Sequence, residues 1–204
     1  MDLSKFTAEH PYVDFSSPLI QEKAGELFRG ITDDTLKAKI AYEYVRDEIP
    51  HSFDTDETNV EIITAKASDV LKYKTGICHS KSNLLAALLR SQDIPVGFCF
   101  QHLTLMADDS SGYCVHCFNA VFLNDRWVKI DARGNTNGRN AQFSLGEPIL
   151  AFPPRKEYDE YFWDGIYASP HADTMKMLDK ATSLQDVLDN IPDNVLEAPD
   201  VTEE

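Results

Sequence analysis

Three stretches in the first half of the chain repeat apolar residues at the spacing of an α-helix. The first covers residues 17–30 and the second 32–50, and each begins with a polar residue that can cap a helix and ends at a glycine or a proline. The third begins after Gly76 and continues to Arg90, with leucines on a broad face. A shorter stretch at 68–73 predicts one or two helical turns. The width of the leucine face predicts that the third helix is buried on much of its surface.

The second half of the chain changes to the shorter periodicity of β-strands. A strand is predicted at 96–103, and two more at 113–122 and 127–131 are joined by a turn at Leu123–Arg126. The polar residues 107–112 predict a turn before the second strand. Further predicted segments are a strand within 141–152, a packed aromatic loop or short helix at 155–168, and helices near 170–180 and 183–190. Helices, then antiparallel strands, then more helix predict an α+β fold.

A chain of 204 residues is long enough to bury one sizeable core. We find no internal repeat and no linker in the sequence, so we expect a single domain over residues 1–204 with its core at about 32–152. The end of the chain, residues 192–204, is acidic and poor in large apolar groups, which predicts disorder there.

The formal net charge of the chain is −15 at pH 7. This charge disfavours a nucleic acid or an anionic membrane surface as a partner, because both are negatively charged. The first six residues contain no apolar signal-peptide segment, and no apolar run approaches the length needed to span a bilayer. We therefore expect a cytoplasmic protein with free thiols at its four cysteines, Cys78, Cys99, Cys114 and Cys117.

One of these cysteines stands at the start of a predicted helix. Cys78 follows Gly76 and Ile77 and opens the third helical stretch. Unpaired backbone N–H groups and the helix dipole favour an anion at that position. Both effects lower the pKa of a thiol and favour the thiolate, which is its nucleophilic form. A single cysteine can also be a small buried apolar residue, but the helix start favours a nucleophile here.

A thiol nucleophile needs a base, and the base needs a group that orients it. If the turn at Leu123–Arg126 has an even number of residues, His116 and Asp131 are diagonal neighbours on one face of the hairpin. Such neighbours are roughly 7–8 Å apart at their backbones, within reach of a hydrogen bond between imidazole and carboxylate. A three-residue turn moves Asp131 to the opposite face. Spacing alone does not bring this pair to Cys78.

Segments around these residues together resemble the transglutaminase-like superfamily of papain-type thiol enzymes. They are Gly76-Ile77-Cys78 at a helix start, His116-Cys117-Phe118-Asn119-Ala120-Val121, Trp127-Val128-Lys129-Ile130-Asp131, and an upstream helix at Tyr44-Val45-Arg46-Asp47-Glu48-Ile49. The resemblance extends over about residues 35–135. It implies a papain/transglutaminase-like core, in which the Cys helix packs against an antiparallel sheet that carries His and Asp.

The resemblance also implies a chemistry. It implies acyl transfer through a thioester, with Cys78 as nucleophile, His116 as general base and then acid, and Asp131 orienting the imidazole. The oxyanion is then held by the backbone N–H of Cys78 and one side-chain donor. His51 occupies the place where the family often has an aromatic donor, so His51 is our candidate for that role. No cofactor is implied.

Other polar and aromatic residues are candidates for the substrate cleft. Gln101 and His102 come at the end of the first predicted strand, and Cys114 comes at the start of the second, so each is a candidate for lining the cleft. Trp163 is a candidate substrate wall, with core packing as the alternative. Zinc or redox chemistry at Cys114–Cys117 is disfavoured, because the two cysteines point to opposite faces of a strand and a second ligand pair is missing.

We therefore expect a cysteine-dependent enzyme that takes an acyl group from an amide or peptide bond. Water or an amine can accept the acyl group, and hydrolysis is favoured because water is always present and the sequence indicates no amine-binding tunnel. The expected substrate is a peptide, a protein or a small amide. The alternative is a binding or scaffold module that keeps the fold without turnover.

Overall fold

The computed structural model describes residues 2–54, 62–105 and 111–202. Most of the turn predicted at 107–112 lies outside the described residues. The elements in chain order are α1 (Ser4–Thr7), α2 (Pro18–Leu27), α3 (Asp34–Glu48), α4 (Ala67–Tyr73), α5 (Cys78–Arg90), β1 (Val96–Thr104), β2 (Tyr113–Leu123), β3 (Arg126–Ile130), β4 (Tyr161–Phe162), α6 (Ala172–Leu178) and α7 (Leu184–Asn190), with 3₁₀ turns at Ser52–Asp54 and Lys156–Tyr158. The α+β architecture predicted from the sequence is confirmed. None of the described helices is long and apolar enough to cross a bilayer.

Local signals in the sequence set the ends of the first helices. Pro18 is the first residue of α2, where its missing N–H has no helical partner to lose. The Asp33 side chain accepts a hydrogen bond from the backbone N–H of Leu36 and so caps α3. α4 ends at Lys74, which adopts a left-handed conformation with a φ of 55°, two residues before the glycine predicted to close it.

The sheet is antiparallel, with strand order β3-β2-β1-β4. Leu123 pairs with Arg126, so the turn between β2 and β3 consists of Asn124 and Asp125 alone. Both turn residues have positive φ, at 52° and 61°, as a two-residue hairpin turn of type I′ requires. The even turn length assumed for the hairpin is therefore present.

Helix α5 lies at the centre of the molecule, and all of its residues are buried. It contacts α3, α4 and β2, and its leucines belong to the main hydrophobic cluster. Hydrogen bonds also attach the helix to the sheet. The Ser82 hydroxyl donates to the carbonyl of Cys117 at 3.3 Å, and the Asn119 amide donates to the carbonyl of Ser82, also at 3.3 Å. These contacts fix the height of Cys78 above β2.

The segment 141–152 is not the regular strand that was predicted. A single bridge joins Gln142 to Ile149, and the residues between them form an irregular loop. Gly146 and Pro148 interrupt this segment, and proline removes a backbone donor that a strand needs. The fourth strand instead comes from the aromatic segment, where Tyr161 and Phe162 pair with β1.

Residues 192–202, in the segment for which we expect disorder, contact the rest of the chain, and residues 203–204 lie outside the described part. Ile166 and Val201 exchange backbone hydrogen bonds of 2.8 and 3.1 Å, and Asp200 forms an ion pair with Lys5 at 2.8 Å. Backbone pairing of this kind depends on a partner that the acidic composition does not reveal. The main hydrophobic cluster includes residues from Val13 to Val195, which supports our proposal that the chain forms one domain.

Candidate active site

The backbone around Cys78 is held close to a second segment. Ser52 donates its backbone N–H to the carbonyl of Gly76 at 3.1 Å, and this brings the His51 segment beside the start of α5. A side chain at Gly76 would place its Cβ 2.5 Å from the Ser80 hydroxyl. The glycine is therefore needed for the chain to approach the first turn of α5. Cys78 as a whole residue is 9% exposed at this junction.

His116 and Asp131 meet across the hairpin as the even turn predicts. His116 Nε2 lies 3.0 Å from Asp131 Oδ2, and both side chains are buried. The Cys78 thiol is close enough to the imidazole for the two groups to shift each other's pKa. The three side chains thus lie next to one another, in the order thiol, imidazole and carboxylate, which sequence spacing could not establish.

Two backbone N–H groups hold the carboxylate of Asp131 in place. Arg133 donates its N–H to Oδ1, and Ala151 donates its N–H to Oδ2, each at 3.0 Å. Burial alone would raise the pKa of Asp131, but the charge of His116 and these hydrogen bonds keep it below its usual value. The carboxylate is therefore ionised and cannot rotate freely.

The same charges shift the pKa values of the other two groups in opposite directions. Burial alone would raise the pKa of the Cys78 thiol, but the charge of His116 and its hydrogen bond hold that pKa below its usual value. Burial alone would lower the pKa of His116, but the carboxylate of Asp131 and the thiolate of Cys78 raise it. Both directions favour a thiolate paired with an imidazolium.

The backbone N–H of Cys78 points at His51. It donates to His51 Nε2 at 3.1 Å, and the N–H of Phe53 donates to His51 Nδ1 at 3.3 Å. This differs from the expected arrangement, in which His51 is a second donor beside Cys78. A neutral imidazole has one nitrogen that accepts and one that donates. One of the two N–H groups therefore faces a donor and lacks a proper acceptor.

A buried lysine connects both sides of the site. Lys81 stands one helical turn after Cys78, and its ammonium donates to the carbonyl of Ile49 at 2.5 Å and to that of Arg133 at 2.9 Å. Ile49 precedes the His51 segment, and Arg133 follows Asp131. Burial, with the nearby charge of Arg133, lowers the pKa of Lys81 to about 7. Sequence reasoning missed Lys81, although its place three residues after Cys78 on a largely buried helix was a usable signal.

The end of the loop 141–152 covers the histidine. The ring of Phe152 stands edge-on to the His116 ring, with 5.0 Å between their centroids. The Gln101 amide donates to the carbonyl of Phe152 at 2.8 Å, and Gln101 pairs directly with His116 in the sheet register. Gln101 is fully buried, so it supports this cover rather than lining an open cleft. Phe152 was not among the residues expected at the site.

The remaining cleft candidates divide into two groups. Cys114 is near Cys78, and burial together with the charge of Cys78 raises its pKa to about 12, so it is a protonated neighbour. His102 instead stacks between Tyr113 and Tyr161, at centroid distances of 4.3 and 4.8 Å, and the Trp163 ring stands edge-on at 5.6 Å. Among the described residues, no ring contact or hydrogen bond of His102 or Trp163 reaches Cys78.

Within the described residues, no group of three or more His, Cys, Asp or Glu side chains is arranged to hold a metal ion. Cys114 and Cys117 lie on a regular strand, and the two side chains alternate in direction.

A family model agrees with this geometry. The model of the transglutaminase-like superfamily matches residues 21–132, which is more than half of the chain and includes Cys78, His116 and Asp131. The chain belongs to the transglutaminase-like superfamily. Residues 133–202, which include the loop that covers His116, lie beyond the matched range of this superfamily. No curated protein matches the sequence.

One solved structure agrees with the fold of this transglutaminase-like chain, at a TM-score of 0.51. A proposed cysteine protease from Cytophaga hutchinsonii matches with a TM-score of 0.51 and 17% identity, over 65% of this chain and 43% of that protein. A protein described as a TGase matches with a TM-score of 0.42 and 17% identity, over 66% of this chain and 35% of that protein. The chain spans less than half the length of either protein. At this identity the likeness shows the fold alone.

Proposed function

We propose that the chain is a cysteine-dependent enzyme that takes an acyl group from an amide bond. In this proposal Cys78 is the nucleophile, His116 the general base and acid, and Asp131 the group that orients the imidazole. The observation that carries the proposal is the hydrogen bond between His116 and Asp131, together with the nearby Cys78 thiol, whose pKa the charge of His116 lowers. Membership of the superfamily supports it.

The first half-reaction forms a thioester. The Cys78 thiolate attacks the amide carbon, a C–S bond forms, and the carbonyl oxygen becomes an oxyanion. The His116 imidazolium then gives its proton to the amide nitrogen, the C–N bond breaks, and an amine leaves. Asp131 stabilises the imidazolium before this transfer and holds the ring in the tautomer that the second half-reaction needs.

The second half-reaction releases the acyl group. Water or an amine attacks the thioester carbon while His116 accepts its proton, and the C–S bond breaks with return of the thiolate. Water gives a carboxylic acid, and an amine gives a new amide. We propose hydrolysis of a peptide, a protein or a small amide as the main reaction. A primary amine added to the assay tests this choice, since a new amide as the main product would contradict it.

We propose that the Cys78 N–H and His51 form the oxyanion hole. If the Phe53 N–H bonds to Nδ1, the proton of the neutral ring is on Nε2, and two donors 3.1 Å apart then lack an acceptor. A substrate oxyanion supplies that acceptor. Burial, with the charges of Arg133 and Lys81, holds the pKa of His51 well below its usual value, which keeps the ring neutral.

The test is to trap the acyl-enzyme. We expect incubation with a library of peptides and small amides, followed by acid quench and mass spectrometry, to give an adduct on Cys78 in the wild-type chain. Cys78→Ala should give none. An adduct on another cysteine, or none in the wild type, contradicts the proposal.

Alkylation by iodoacetamide gives a second readout that needs no substrate. We expect Cys78 to react faster at neutral pH than Cys99, Cys114 or Cys117, because its pKa is lowered while burial raises the pKa of Cys114 and of Cys117. The other cysteines thus serve as internal controls. Equal rates at all four positions would favour the alternative, a scaffold module without turnover.

A further inference from the structure

Positive charge adjoins the proposed catalytic residues, although the net charge of the whole chain is −15. Arg133 is almost fully buried two residues after Asp131, and its guanidinium is close enough to Cys78 and His51 to act on both electrostatically. Arg139 follows in the same loop, with 22% of its side chain exposed. One arginine is thus enclosed next to the site, and the other reaches solvent.

Phe152 shows how near Arg139 is to the reacting groups. The guanidinium carbon of Arg139 lies 5.0 Å from the centroid of the Phe152 ring, and that ring lies 5.0 Å from the His116 ring. The guanidinium is therefore within about 10 Å of the imidazole. An extended peptide covers about 3.3 Å per residue, so this distance corresponds to about three residues of a bound substrate.

The charge of Arg139 is only partly compensated by the described residues. Asp54 accepts hydrogen bonds from both terminal nitrogens of Arg133 and from the Thr136 hydroxyl, whereas its nearest approach to Arg139 is 3.9 Å. Arg139 Nη1 donates to the carbonyl of Thr136 at 3.1 Å. Its Nε is buried and has no hydrogen-bond partner among the described residues. A buried donor on a cation is costly unless an acceptor reaches it.

We propose that Arg139, with Arg133 behind it, binds a carboxylate of the acyl donor within about three residues of the bond that is cleaved. A carboxylate matches the fork of a guanidinium, and it can approach the part of the Arg139 side chain that is exposed to solvent. The carboxylate can belong to an Asp or Glu side chain or to a free C-terminus. This inference rests on the proposed acyl-transfer function and names its substrate class.

Matched peptides test the proposal. We expect a peptide with Glu near the cleaved bond to acylate Cys78 about tenfold or more faster than the same peptide with Gln, because a charge-assisted hydrogen bond replaces a neutral one. A second pair, with a free or an amidated C-terminus, distinguishes the two sources of the carboxylate. Equal rates within both pairs would overturn the proposal.

Variants assign the preference to Arg139. We expect the Glu/Gln rate ratio to fall towards one in Arg139→Met and to be partly retained in Arg139→Lys, which keeps the charge. Arg29→Met removes the same charge from an exposed position after α2 and should leave the ratio unchanged. A ratio that persists in Arg139→Met contradicts the role of this residue.

Alkylating reagents keep the proposal testable if no peptide reacts. Iodoacetate carries a carboxylate where iodoacetamide carries an amide, and both modify the same thiol. We expect the iodoacetate/iodoacetamide rate ratio at Cys78 to fall about two- to fivefold in Arg139→Met and not in Arg29→Met, and to fall at high salt in the wild type. An unchanged ratio in Arg139→Met would contradict the carboxylate site. If the ratio falls as expected but no peptide acylates Cys78, the acyl-transfer function is contradicted instead.

Discussion

Helix α5 carries two buried cations, Lys81 and Arg90, which bond to different parts of the molecule. Lys81, near the start of the helix, donates to the carbonyls of Ile49 and Arg133 on the two sides of the site. Arg90 is the last residue of the helix, at the end opposite to the site. Its guanidinium donates to the carbonyls of Ala8 at 2.8 Å, Val96 at 2.6 and 3.2 Å, and Ala168 at 2.7 Å. Among the described residues, neither cation forms an ion pair with a carboxylate.

The difference lies in what each cation holds together. Arg90 joins the N-terminal segment, β1 and the segment before α6, so it fixes the scaffold. Lys81 joins the chain next to His51 with the chain next to Asp131, so it fixes the distance between the residue proposed to stabilise the oxyanion and the residue proposed to orient the imidazole. Burial lowers the pKa of both, to about 7 for Lys81 and to about 10 for Arg90. Only the cation at the site titrates near neutral pH.

The largest expected effect is at Asp131, which follows β3 and bonds to His116 at the proposed site. Asp131→Asn keeps the shape of the side chain but leaves one acceptor oxygen for the two backbone N–H groups, and it removes the charge that stabilises the imidazolium. We expect the rate of Cys78 acylation to fall by about 10²- to 10⁴-fold, as for loss of the orienting carboxylate in other triads. Asp125→Asn, the same substitution at the exposed hairpin turn, is the matched control and should change the rate less than about twofold. A loss below tenfold in Asp131→Asn would argue against a triad.

The next effect separates the two cations directly. Lys81→Met and Arg90→Met each leave buried carbonyls without a donor, and we expect each to lower the free energy of unfolding by about 2–4 kcal/mol. Per folded molecule, we expect Lys81→Met to slow acylation about tenfold or more and Arg90→Met to slow it less than twofold, because a small misplacement of catalytic groups is costly. Denaturant unfolding and acylation kinetics on the same samples measure both quantities. Equal rate losses in the two variants would remove the distinction.

The hairpin and the loop after it show how much the sequence could predict. The pairing of His116 with Asp131 follows from strand alternation and a two-residue turn, and both properties are local. The cover provided by Ala151 and Phe152 depends on contacts with residues about 20 or more positions away in the chain. No local pattern encodes those contacts. The sequence therefore predicts a strand at 141–152, where the structure has a loop that covers His116.

Lys81 illustrates a second limit. A lysine is almost never fully buried unless it is paired, so a sequence reading assigns it to the surface. Its burial depends on two carbonyls, one from each side of the site, that only the folded chain brings together. His51 was found by its place in the family pattern, but the direction of its hydrogen bond with Cys78 required coordinates. Local patterns and the family resemblance thus indicated the proposed reacting groups, and tertiary contacts determine how these groups are held.

The smallest expected effect is the pH dependence of stability that Lys81 contributes. The pKa of Lys81 is about 7 in the folded chain, against 10.5 for a lysine exposed to water as in the unfolded chain. Between these two pH values the unfolded state binds more protons than the folded state. The contribution of Lys81 to stability therefore rises with pH in this window, by at most about 1.4 kcal/mol per pH unit. We expect the slope of the unfolding free energy between pH 7.5 and 9, measured with denaturant, to be lower in Lys81→Met than in the wild type. Arg90→Met should keep the wild-type slope, because the corresponding window for Arg90 begins only at about pH 10. Equal slopes in all three chains would show that Lys81 stays charged, and the two cations would then differ in position alone.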